Sequence, residues 1–154
     1  MHTVIVVVHV CTATLALGTG IAAYTFRNNT PRHRRLGIGY IAGWIGFAVT
    51  GLILGARDPA ISVFEVLTVL GAVFVGLGLG TVKRRDAIGP AWITWHYRWM
   101  LTSLAFVVIA TINQLLLQAG WRLPLWAFIG LSLTPFLVIP RLVDRLDRRY
   151  APTA

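Results

Sequence analysis

"AISVFEVLTVLGAVFVGLGLGTV", residues 60 to 82, runs for 23 positions with Glu65 as its only charged side chain. Wound as a helix rising about 1.5 Å per residue, it is long enough to cross the roughly 30 Å of hydrocarbon in a bilayer. Working outward, four more stretches of this kind appear, at Thr3 to Phe26, Leu36 to Ala56, Trp92 to Gln118 and Leu123 to Ile139. A chain of 154 residues that is 56% hydrophobic and only 12% charged has too little polar surface to cover such elements in water. The solvent for most of it is lipid. In lipid the backbone must satisfy its own hydrogen bonds, so the runs read as helices. The expected fold is all-α: a single transmembrane bundle of five helices over residues 1–140, followed by a basic tail over 141–154.

The breaks between the runs are short. Pro31, Pro59, Pro90 and Pro124 each stand where a new helix begins, a position at which a missing amide hydrogen does no harm. Thr30, just before Pro31, is placed to cap the second helix. The first run lacks a basic leader and is too long for a cleaved signal peptide, so it counts as a helix. The valine in "VHVC" argues against lipidation of Cys11, and a single cysteine excludes an intramolecular disulfide or a cysteine-based zinc site.

Charge sets the expected orientation. On alternate sides of five spans, Arg27, Arg32, Arg34, Arg35, Lys83, Arg84, Arg85, Arg98, Arg141, Arg145, Arg148 and Arg149 share one face, against Arg57 and Arg122 on the other. The positive-inside rule then puts the N-terminus outside and the C-terminus in the cytoplasm of a bacterial inner membrane. The net charge of +9 is explained by this bias and by anionic headgroups, with no need for nucleic acid. "RLVDRLDRRY" (141–150) suits a short amphipathic tail at the interface.

Small residues recur at helical spacing in Gly39/Gly43, Gly51/Gly55 and Ala72/Gly76/Gly80. Such faces let helix backbones approach closely, within one chain, in a homo-oligomer or against a larger membrane complex. Ala13, Ala16, Gly20 and Ala23 make a similar stripe on the first helix, on the face of His9.

Polar groups in the membrane are costly and therefore point to function. Near the outer side, His9, Glu65, Asn113 and Gln114 come from three helices to a similar depth. A glutamate there is either protonated or paired with a cation such as protonated His9. The layer suits a proton-handling, metal or quinone-headgroup site, or a polar contact that fixes helix register. Near the inner side, His33 opens the second helix and His96, within "WHYRWM" (95–100), opens a later one. Two imidazoles with Arg34, Arg35 and Arg98 beside them suit a b-type haem, with iron on the histidines and propionates on the guanidinium groups. The alternative for His96 is a headgroup anchor within the aromatic belt of Trp92, Trp95, Tyr97 and Trp99. Met100 follows His96 by four residues and shares its face. His96, Met100, Ser103, Val107, Thr111, Gln114 and Gln118 trace a stripe expected to look inward.

"HRRLGIGYIAGW" (33–44), "HYRWM" (96–100) and the early His9 resemble the bacterial predicted-membrane-protein family numbered 2306 among the domains of unknown function. The resemblance covers roughly the first 118 residues and rests on two short motifs plus one histidine. It implies a helical bundle with a histidine pattern similar to that of small membrane cytochromes. Members are expected to carry an arginine soon after the methionine and another at the outer end of that helix. This chain has Thr102 and the Asn113, Gln114 pair instead, so an anionic ligand held by those arginines is not implied here.

Three functions fit. One is a redox-linked membrane protein holding haem or quinone between helices through His33, His96 and His9, near a respiratory chain. Another is a non-catalytic accessory or assembly subunit, docking on a larger complex. The third is a small proton-coupled transporter or channel using Glu65 and His9. No hydrolytic or transferase motif is present, so any catalysis is at most electron transfer.

Overall fold

The computed structural model describes residues 2–26, 30–56 and 63–150. Among them every regular element is helical: α1 (His2–Thr25), α2 (Pro31–Gly55), α3 (Val63–Lys83), the single turn α4 (Arg85–Ile88), a 3₁₀ turn (Gly89–Ala91), α5 (Trp92–Gln118) and α6 (Leu125–Tyr150). Five helical stretches are long and apolar enough to cross a membrane, with α4, the 3₁₀ turn and α5 forming one of them. The chain groups into two units, Met1–Leu70 and Gly71–Ala154.

In the first unit, α2 starts as the sequence suggests. Thr30 caps it by accepting the His33 amide hydrogen at 3.1 Å, and Pro31 occupies the first turn. Glycines then bring α1 and α2 into backbone contact. A methyl group on Gly43 would stand 2.7 Å from the Ala16 nitrogen and 3.0 Å from the Thr12 carbonyl oxygen. One on Gly39 would meet Thr19 at 3.0 Å, and one on Gly46 would meet Thr12 at 2.6 Å. The small Ala16, Gly20 and Ala23 are the buried residues of α1. This is the small-residue packing expected in lipid, where apolar side chains gain little by leaving the solvent. Thr12, Thr14 and Thr19 return their hydroxyl hydrogens to carbonyls of their own helix, so they need no outside partner. Large side chains such as Val7, Ile38 and Ile45 are exposed, the arrangement of a surface wetted by lipid.

The second unit is built around rings. Phe74 of α3 stacks on Trp99 of α5 with centroids 5.6 Å apart, and lies 5.6 Å from Phe106 and 5.8 Å from Phe136 of α6. Gly78 lies against Met100, whose sulfur would be 2.6 Å from an added methyl group. The spacing had favoured Ala72, Gly76 and Gly80 as the close-packing face of this helix, but Gly76 and Gly80 have nothing within 4 Å of an added methyl group. Gly78 makes the close approach instead. Between Phe74 and Gly78, four residues apart, the aromatic contact and the methionine lie on one face, which turns Gly76 outward. The last helix continues through Pro135 and Pro140 to Tyr150, so α6 takes in residues 141–150 of the basic segment.

Candidate functional site

Each of His9, His33 and His96 lies against another helix, and each is held through the same ring nitrogen. Nδ1 of His33 lies 3.0 Å from the carbonyl oxygen of Ala23, in the last turn of α1. The same carbonyl accepts the Phe26 amide hydrogen at 3.3 Å, and the imidazole adds a second donor to it. Nδ1 of His96 lies 2.9 Å from the carbonyl oxygen of Gly78. A carbonyl can only accept, so in both rings Nδ1 carries the proton, and in the neutral ring Nε2 carries the lone pair.

His9 reaches the same state through a side chain. Its Nδ1 is 2.9 Å from the Thr50 hydroxyl, whose own hydrogen goes to the Gly46 carbonyl at 2.6 Å. Thr50 therefore accepts from His9. The imidazole also packs on Phe47, with centroids 4.8 Å apart, and its Cε1 would be 3.2 Å from a methyl group on Gly51. One turn further along α2, Gly55 faces Glu65, whose Oε1 would be 2.6 Å from an added methyl group. Thus the second small-residue pair, Gly51/Gly55, admits the side chains of His9 and Glu65. Glu65 also stands in the first turn of α3, where a carboxylate offsets the helix dipole.

The hexapeptide at the start of α5 divides its labour. His96 is half-buried, with Trp92 and Tyr97 at centroid distances of 6.2 and 6.3 Å. Trp95 and Trp99 stack at 5.7 Å. Arg98 donates from Nη2 to Asp144 of α6 at 3.0 Å and lies 5.3 Å from the Trp95 ring. Its side chain is 31% exposed and that of Asp144 is 49%, so the pair is partly wet and fixes α5 on α6 more than it stabilises the fold. Met100 fills the space over Gly78. Arg34 and Arg35 are exposed on the turn that carries His33.

No family model, curated protein or solved structure matches the chain.

Among the described residues, no three of His, Cys, Asp and Glu gather as a metal-ion cluster. Ser103 and Val107 of the stripe expected to look inward along α5 are buried, together with Thr102, Phe106 and Ile109 beside them, but at its outer end Asn113 is buried whereas Gln114 and Gln118 are exposed. Trp44, Thr50, Gly78 and Asp144 were not singled out by sequence. Only Trp44 carried a signal, as a tryptophan far from either end of an apolar run, where its N–H has no water to bond.

Proposed function

We propose that the protein is a multi-pass protein of the bacterial cytoplasmic membrane with a redox-linked role, in which histidine imidazoles ligate a b-type haem. The observation that carries this reading is the main-chain anchoring of His33 and His96. A ring whose Nδ1–H is fixed on a carbonyl presents Nε2 as a ligand in a set orientation, the usual preparation of a metal-binding histidine. Arg34 and Arg35, on the turn of His33, would supply guanidinium groups for propionates. Arg98 would do so only by giving up Asp144. A haem held at these rings would supply one-electron chemistry, while the chain would supply an imidazole nitrogen and its fixed orientation. The N-terminus is assigned to the outside and the C-terminus to the cytoplasm by the twelve-to-two distribution of basic residues.

A visible spectrum of the protein purified in mild detergent tests the reading. A Soret band that shifts on dithionite reduction, and that is lost in His33→Ala or His96→Ala with helical circular dichroism retained, is the expected result. A protein without extractable haem overturns it. The second reading is a non-catalytic accessory subunit of a larger membrane complex. It is favoured by the same imidazole bonds, which also staple one helix to the next, and stoichiometric co-purification of partner subunits would identify it.

A further inference from the structure

Among the described residues two buried donors lack a hydrogen-bond partner, Nε of Arg98 and Nε1 of Trp44, and the second belongs to a residue with no part in the haem reading. Trp44 is 4% exposed, and its indole Nε1 is buried without a hydrogen-bond partner. Such a group has lost its hydration with nothing in return, and in a bilayer no bulk water is at hand to restore it. Its surroundings are aromatic. Phe47 stands edge-on to Trp44, with centroids 6.4 Å apart at 74°, and its ring also packs on His9. One phenyl ring is thus flanked by an indole N–H donor and by an imidazole whose Nε2 carries the lone pair.

We propose that Trp44, Phe47 and His9 form a binding site for a quinone headgroup, with Trp44 Nε1 donating to a carbonyl oxygen of the oxidised ring and His9 Nε2 accepting from a hydroxyl of the reduced ring. Charge selects this ligand class. Neither residues 3–26 nor residues 36–56 contain a charged side chain, and Glu65 lies against Gly55, a turn beyond the Gly51 that His9 packs on, so neither helix that supplies Trp44, Phe47 and His9 brings a charge to pair with an ionic ligand. A planar, neutral, lipid-soluble ring that accepts when oxidised and donates when reduced matches the donor, the acceptor and the aromatic faces. His9 and Phe47 are half-buried, which leaves an approach from the bilayer. The inference deepens the redox-linked reading, because a membrane protein that carries electrons needs a mobile carrier to exchange them with.

The test uses the full-length protein in nanodiscs, ¹⁵N-labelled at tryptophan, with the Trp44 indole resonance assigned by its absence in Trp44→Phe. Titration with decylubiquinone should move that resonance downfield to saturation. Trp44→Phe should weaken decylubiquinone binding about tenfold, the scale of one lost hydrogen bond. His9→Phe should weaken the quinol more than the quinone. An indole resonance unmoved at saturating quinone, or an unchanged Kd in Trp44→Phe with helical circular dichroism intact, overturns the proposal. The Soret band recorded on the same samples separates the two readings. Haem without quinone binding sinks only this site, and quinone binding without haem sinks only the haem.

Discussion

At Gly43 the first unit has no room for even one carbon. The atoms that an added methyl group would strike, the Ala16 nitrogen and the Thr12 carbonyl oxygen, both belong to helix backbone and cannot rotate away. Gly43→Ala should therefore separate α1 from α2 and cost about 1–3 kcal/mol. At Gly18, where an added methyl group meets nothing within 4 Å, the same change should be neutral or stabilising by up to about 1 kcal/mol. Urea unfolding in detergent, followed by far-ultraviolet circular dichroism, compares the two, and equal midpoints would refute the packing argument. The role of Gly43 was legible in its spacing from Gly39. That of Gly78 was not, because Gly76, Gly78 and Gly80 are equally small and the choice among them is made by Met100, 22 positions away. Thr50 was hidden for a similar reason. A threonine in a membrane helix ordinarily bonds its own carbonyls, and only the arrival of His9 gives its oxygen a second use.

Among the elements, α5 is delimited by two glycines with positive φ whose requirements differ. Gly120 closes the helix: its amide donates to Leu117 at 3.1 Å and that of Trp121 to Leu116 at 2.8 Å, the paired bonds of a Schellman motif. Gly89 precedes the helix at φ 69° and ψ −158°, a region that side chains of any kind avoid. Both glycines have open space around them, so the cost of replacement is in the backbone alone. Gly120→Asn should then be nearly neutral, since asparagine tolerates the left-handed cap, whereas Gly89→Asn should cost about 1–3 kcal/mol. Thermal unfolding in detergent would show the contrast, and equal losses at the two sites would contradict it. Helix starts were readable here because proline and threonine act locally, as at Thr30 and Pro31. The end of α6 was not. The apolar run ends at Ile139, yet the helix passes on through Pro140, since a proline disturbs only the backbone groups within one turn of itself and the helix can resume beyond them.

For the whole molecule, the proposed orientation rests on the distribution of basic residues. Asp86, in the turn after Lys83, Arg84 and Arg85, is assigned to the cytoplasm, and Trp121, beside Arg122, to the outside. Both are well exposed, Asp86 with 95% of its side chain and Trp121 with 71% of the residue, so cysteines placed there should react readily. In a Cys11→Ser background, a membrane-impermeant maleimide should label Trp121→Cys in intact spheroplasts and Asp86→Cys only after the membrane is opened. Labelling of Asp86→Cys in sealed spheroplasts would reverse the assignment and put His33 and His96 at the outer surface. The bias should also be redundant. Removing Lys83, Arg84 and Arg85 together still leaves Arg27, Arg32, Arg34 and Arg35 after the first span and the arginines from Arg141 onward after the last. The triple asparagine variant should therefore keep the labelling pattern of the parent. A mixed pattern would mean that this one loop, and not the sum of the basic residues, holds the chain in place.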